Sequence, residues 1–184
     1  YKRIGRIQAQ YIIDAMEQDN ESATKSIILF KGSKYKSTTI ADGAIQKFSA
    51  NNVQYNLIPI DDNNENFSSS IESELQSVID SGSEVFAICA CTELFTDTTI
   101  AFIERCGITP VPIITGFGRT DNTEQYITDE LQSLSIDLDY AETTQSLTQA
   151  ITSILQNGDV VSDFSIERQN YNIPASCPIE YVTS

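Results

Sequence analysis

Apolar residues recur at helical spacing from the start of the chain, at Ile4, Ile7, Tyr11 and Ala15, with Ile12 and Met16 widening the stripe. That spacing predicts a helix over residues 3–18 with one face in need of a partner surface. The polar stretch QDNESATK ends it. SIILF (Ser26 to Phe30) then runs apolar and β-branched without alternation, the pattern of a strand covered on both faces, and stops at Lys31-Gly32-Ser33. Ile40, Ala44 and Phe48 predict a helix, VQYNLIPI (Val53 to Ile60) a strand, and Phe67, Ile71, Leu75 and Val78 another helix. The strand EVFAICA (Glu84 to Ala90) follows, then a helix carrying Phe95, Thr99, Phe102 and Cys106, and the strand VPIITG (Val111 to Gly116). The next helix opens at Asp121-x-x-Glu124, whose acceptor side chains suit a capping box. LSIDLD (Leu134 to Asp139) reads as a strand, and a helix with Leu147, Ile151 and Leu155 stops at Asn157-Gly158.

Strict alternation of strand and helix predicts an α/β fold: a three-layer, Rossmann-like parallel sheet with helices on both faces, joined by right-handed βαβ units. Such folds bind ligands beyond the carboxyl ends of their strands. Here those ends are the loops Gly32 to Thr39, Cys91 to Glu93 and Gly116 to Asp121, with a fourth contribution near Asp139 and Tyr140. The tail from Gly158 to Ser184, punctuated by Pro174 and Pro178, reads as a connection or as edge strands outside the helical layers.

Charge narrows the function. The 184 residues hold 11 Lys+Arg against 26 Asp+Glu, a net charge of −15. Residues 1–47 hold eight basic and five acidic residues, so the remainder, with three and 21, carries nearly all of the acidity. Nucleic-acid binding rests on clustered Lys and Arg, so no direct contact with nucleic acid is expected. No apolar run approaches the ~18–20 residues of a membrane span. The sequence has no His and no Trp, which removes Ser-His-Asp triads, His-ligated metals and His general bases and leaves any catalysis to Asp, Glu, Lys, Tyr or Cys. Cys89, Cys91, Cys106 and Cys177 form neither a zinc ribbon nor a C-x-x-C motif. In VFAICAC the first two share a strand face and read as core thiols. No metal or cofactor is expected. Unpaired thiols suit a reducing compartment and the Asn, Ser, Thr and Gln content a secreted protein, so composition leaves location open. The chain begins at Tyr1 without Met and reads as a piece of something longer.

Among the loops, Gly32-Ser33 between a strand and a helix could cradle an anion, but neither G-x-G-x-x-G nor G-x-x-x-x-G-K-[ST] is present. Gly116-Phe117-Gly118-Arg119 sets an aromatic ring between two glycines, which reads equally as an ordinary turn or as a loop that lets a ligand approach closely against a stacking ring. Glu93 and Asp97 stand where helix caps are expected.

The segments YKRIGRIQAQYIIDAM, IILFKGSKYKSTTIADGAIQKF, FAICACTELFTDTTIAFIERCG, VPIITGFG and LSIDLDYAETTQSLTQAI, in that order, resemble the second lobe of the type 1 periplasmic sugar-binding proteins. The xylose-binding proteins are closest in flavour, with their G-R-x-Q-A-Q-Y opening and strand-G-S…D-G-A stretch. The resemblance implies one lobe of a two-lobed, hinge-closing, non-catalytic binder of a small sugar-like molecule. Residues 1–157 would form the lobe and 158–184 the hinge return and terminal strands. It implies an extracytoplasmic protein working with an ABC importer or a membrane sensor kinase, or a cytoplasmic regulator of the lactose-repressor type. Candidate ligand contacts, from loop position, are Lys36, Thr38, Thr92, Glu93, Phe117, Gly118 and Arg119. The chain departs from the family pattern at three points: Thr92-Glu93 replaces Asn-Asp, Gly116-Phe117-Gly118 replaces Gly-x-Asp, and Ile40 replaces an Arg before Gly43. Two readings of other classes stand beside it: an α/β enzyme using Glu93 with a Lys or Tyr, and an interaction module on a degenerate binding fold.

Overall fold

The computed structural model describes residues 1–19, 24–138 and 179–183. The chain divides into two compact units, Tyr1–Ile136 with Val182–Ser184 and Asp137–Tyr181. The second lies almost wholly outside the described residues. So do the helix expected around Leu147 to Leu155, the positions Asp139, Tyr140 and Cys177, and all but the last strand of the tail.

In the first unit, strands and helices alternate: α1 (Lys2–Gln18), β1 (Ser26–Gly32), α2 (Tyr35–Ala50), β2 (Asn56–Ile60), α3 (Phe67–Asp80), β3 (Val85–Cys89), α4 (Glu93–Cys106), β4 (Ile113–Phe117), α5 (Thr123–Thr128) and β5 (Leu134–Leu138). A last strand, β6, spans Ile179–Thr183. β1 to β5 pair in parallel in the order β2-β1-β3-β4-β5. The predicted three-layer α/β sheet is present. Ile28, Phe30, Ile58, Ile60, Ile88 and Ile114 turn to one face, against Ile71 and Leu75 of α3 and Phe95, Ile100, Phe102 and Ile103 of α4. α1 and α2 pack on each other and on the strands from the other side, where the intervening residues such as Leu29 and Cys89 are equally buried. With both faces covered, the strands need no polar alternation, which explains the apolar run SIILF.

Three boundaries differ from the sequence pattern, each for a local reason. β2 starts at Asn56 rather than Val53, because the Val53 N–H closes the end of α2 by donating to the Phe48 carbonyl (3.0 Å). β4 starts at Ile113 rather than Val111, past Pro112, which has no N–H to pair. The capping box at Asp121 does not form. α5 begins at Thr123 behind Asn122 without a side-chain cap, and the Glu124 carboxylate is drawn instead to the Arg119 guanidinium.

Two contacts fix the scaffold. α1 and α2 cross backbone to backbone: a Cβ on Gly5 would overlap the Ile40 carbonyl oxygen, and one on Gly43 the Lys2 carbonyl oxygen. At the start of α2, Asp62 accepts from the Ser33 N–H (2.7 Å), the Lys34 N–H (2.8 Å) and the hydroxyls of Ser33 (2.8 Å) and Ser37 (2.7 Å). Burial alone would raise the Asp62 pKa, but the hydrogen bonds from Ser37, Lys34 and Ser33 outweigh it and hold it below the usual value. The anion cradled by Gly32-Ser33 is therefore the chain's own carboxylate.

Gly43→Ala is expected to lower stability by about 1–3 kcal/mol in a denaturant melt, the usual cost of overpacking, even though Ala favours an isolated helix by about 0.8–1 kcal/mol. A stabilised variant would show that the helices can separate freely. Asp62→Asn is expected to cost about 1–3 kcal/mol near neutral pH, as for a buried hydrogen-bonded group that loses its partners. Because the folded pKa is depressed, the carboxylate's contribution is complete above the unfolded value and is lost as pH falls through the folded one. Melts of the two proteins should therefore converge below the ordinary Asp range, and a gap that persists unchanged in acid would contradict the assignment.

Candidate functional site

The strand order reverses its direction of growth between β1 and β3, and in open α/β sheets that reversal leaves a crevice outside the carboxyl ends of the two strands. Three loops arrive there. β1 ends at Gly32 and α2 starts three residues later, which puts Lys36 in the first helical turn. β3 ends at Cys89; Cys91 then takes a positive φ of 69° and turns the chain into α4, with Thr92 at its N-cap and Glu93 first in the helix. β4 ends at Phe117, and Gly118 follows with φ 106°.

The side chains meet. Lys36 Nζ lies 3.0 Å from Glu93 Oε1 and 5.1 Å from the centroid of the Phe117 ring. The Tyr1 and Phe117 rings meet edge to face with 5.9 Å between centroids, and the Tyr1 and Tyr35 rings do so at 6.2 Å. Glu93 Oε2 is buried without a hydrogen-bond partner and packs over Gly118, where a Cβ would come within 2.5 Å of it. Gly118 is thus required by its backbone angle, and its missing Cβ leaves the space the Glu93 carboxylate fills. One turn along α4, burial raises the Asp97 carboxyl above its usual pKa and the Glu93 charge adds to the effect, against a weak hydrogen bond from Thr120. Burial, then the Asp97 charge, likewise raises Tyr126.

Of the seven predicted contacts, Lys36, Glu93, Phe117 and Gly118 come together. Thr38 is committed to the scaffold, donating its hydroxyl to the Gly32 carbonyl (2.6 Å). Thr92 is buried at the start of α4, where its carbonyl accepts from the Thr96 N–H (3.0 Å) and hydroxyl (2.9 Å). Arg119 turns outward to Glu124. Sequence reasoning did not single out Tyr1 and Tyr35, although Tyr35 stands inside a loop it marked, and it passed over Asp62, which follows β2 by the same strand-end rule.

Beneath the site, on the α1 face, lies a small polar group. Gln8, fully buried, accepts from the Cys89 thiol (3.2 Å) and donates to the Cys91 carbonyl (3.4 Å), while the Cys91 thiol donates to the Phe30 carbonyl (3.2 Å). Burial, followed by the neighbouring Cys89, pushes the Cys91 pKa well up, so it stays a neutral thiol. Both are core thiols, as the sequence predicts, but they do not lie side by side on β3, which ends at Cys89. Thr115 pairs in register with Cys89 across β3 and β4, and its hydroxyl is buried with no partner. Among the described residues no group of three His, Cys, Asp or Glu side chains could hold a metal ion, and no helix is long and apolar enough to cross a membrane.

No family model and no curated protein matches the sequence. Solved structures match the fold. One is a carbohydrate transporter solute-binding protein from Agrobacterium radiobacter in complex with D-arabinose (TM-score 0.71, 12% identity, covering 100% of this chain and 59% of that one). A second is the Caulobacter myo-inositol binding protein bound to myo-inositol (TM-score 0.66, 10% identity, 85% and 52%). A third is the Lac repressor bound to ONPG (TM-score 0.61, 14% identity, 86% and 46%). The chain therefore spans about half to three-fifths of each, and it has the α/β fold of one lobe of the type 1 periplasmic sugar-binding proteins.

Thr115→Val is expected to leave stability unchanged or to raise it, because it removes a buried hydroxyl that no group satisfies. A loss above about 1 kcal/mol, the typical net worth of one hydrogen bond, would reveal a partner for that hydroxyl, such as an internal water.

Proposed function

We propose that this chain is the second lobe of a two-lobed, non-catalytic binder that closes about a hinge on a small polyhydroxylated molecule, as a solute-binding protein of an ABC-type importer. The single observation that carries the reading is the meeting of Lys36, Glu93 and Phe117 in the crevice where the strand order reverses. An aromatic face beside a charged donor and a charged acceptor suits a ligand with an apolar ring face and a polar rim. Two of the structural neighbours are binding proteins that hold D-arabinose and myo-inositol, which supports carbohydrate as the ligand class. In this reading residues 1–157 are the lobe, residues 158–184 return to the hinge and supply terminal strands, and the protein works outside the cytoplasm. The likeness to the Lac repressor supports a second use of the same fold, a ligand-sensing domain of a regulator or membrane kinase. The segment preceding Tyr1 in the full-length protein discriminates them: a lipoprotein signal, a transmembrane helix or a basic helix-turn-helix.

The test is calorimetric titration of the full-length parent with pentoses, hexoses, inositols and sugar acids, preceded by a thermal-shift screen. A ligand at 100 times its Kd adds about 2.7 kcal/mol to stability. Phe117→Ala and Glu93→Ala are each expected to weaken the hit by tenfold or more, about 1.4 kcal/mol, while Arg119→Ala has little effect. Affinity unchanged by both of the first two would move the binding site elsewhere.

A further inference from the structure

We propose, resting on the reading of this crevice as a carbohydrate site, that its ligand is an amino sugar whose ammonium takes the seat now held by Lys36. That seat is already a cation site. The Lys36 ammonium lies over the Phe117 ring at 5.1 Å, within the range at which the negative face of an aromatic ring attracts a cation, and 3.0 Å from Glu93 Oε1. The lysine is a replaceable occupant: its side chain is 39% exposed, on a flexible four-carbon stem, and a half-exposed ion pair of this kind contributes little to stability.

The negative charge around the seat exceeds what Lys36 satisfies. Glu93 Oε2 is buried over Gly118 with no donor, and Asp97, one turn further along α4, is close enough to feel the Glu93 charge. An incoming ammonium has three donors, enough for Glu93 and the ring hydroxyls beside it. Lys36 then swings to solvent, so the exchange conserves charge in the crevice. A neutral sugar offers hydroxyl donors without the charge, and charge-assisted hydrogen bonds are roughly twice as strong as neutral ones. A sugar acid brings a carboxylate toward Glu93 and Asp97 and is repelled. Beside the seat, Phe117 and Tyr1, with Tyr35 behind, form an aromatic wall for the apolar face of the ring.

The experiment is calorimetry on the folded full-length protein with D-glucosamine, D-glucose, D-glucuronate and putrescine. Glucosamine is expected to bind at least tenfold tighter than glucose, with glucuronate weakest. Lys36→Gln is expected to tighten glucosamine severalfold by removing the internal competitor, and Glu93→Gln to erase its advantage over glucose. Glucose binding as tightly as glucosamine, or Lys36→Gln weakening glucosamine, overturns the ammonium seat and leaves the carbohydrate reading intact. Putrescine binding with none of the sugars supports the seat and overturns the carbohydrate reading. No binding by glucosamine or putrescine, in protein shown folded by circular dichroism, overturns the ammonium seat, and the carbohydrate reading then stands or falls on the wider panel of pentoses, hexoses and inositols.

Discussion

A parallel sheet whose strands are apolar on both faces has to be covered on both, and the rest of this structure follows from that requirement. After β1, α2 and β2 the chain cannot keep winding on one side, because β1, carrying Ile28 and Phe30 on one face and Ile27 and Leu29 on the other, would stay half bare. It crosses through α3 to the opposite face and resumes on the far side of β1, giving the order β2-β1-β3-β4-β5. The loops after β1 and β3 then depart to opposite faces of the sheet. The gap between them is the crevice, and Lys36 and Glu93 meet there because each stands in the first turn of the helix that follows its strand.

Around that crevice the scaffold satisfies its own polar groups. Asp62 takes the free N–H groups at the start of α2, and the Thr38 hydroxyl takes the Gly32 carbonyl. Gln8 is held between the Cys89 thiol and the Cys91 carbonyl. Helix N-termini are natural anion sites, and in this chain the one after β1 is already filled, which argues against a phosphate ligand there. Among the described residues two side chains are exceptions, the Thr115 hydroxyl beneath the site and, in the crevice itself, Glu93, whose second oxygen is buried and unpartnered. Buried polar atoms without partners are rare in native proteins, and one in a crevice draws attention to what would complete it.

The balance of charge sets this crevice apart from the family pattern that the sequence resembles. The resemblance of the sequence to sugar-binding lobes covers nearly the whole chain, yet the pair Asn-Asp has become Thr92-Glu93 and the Gly-x-Asp turn has become Gly116-Phe117-Gly118. The structure shows these two changes to be adjacent: the carboxylate of one packs on the glycine of the other, and the lysine of a third loop lies over the new phenylalanine. Against that pattern the carboxylate of the β4 loop is absent at Gly118, the one in the first turn of α4 is present as Glu93, and the Phe117 ring stands beside it.

Periodicity alone determined the class of fold, because burial on both faces of a sheet and on one face of each helix forces hydrophobic spacings that survive in one dimension. The order of elements and the strand ends were legible for the same reason, and loop position was enough to mark Lys36, Glu93, Phe117 and Gly118, which the structure brings together. What the sequence could not supply was partnership. That Thr38 would be spent on a carbonyl, that Arg119 would turn to Glu124 and not inward, and that Asp62 would fill the loop after β1 are all matters of distance. The backbone-to-backbone crossing of Gly5 and Gly43 is likewise invisible in one dimension, since a glycine in a helix reads only as a weak point until a second helix is laid against it. Hydrophobic pattern is a property of each segment, whereas a hydrogen bond or an ion pair across 57 residues, as between Lys36 and Glu93, exists only once the segments have packed.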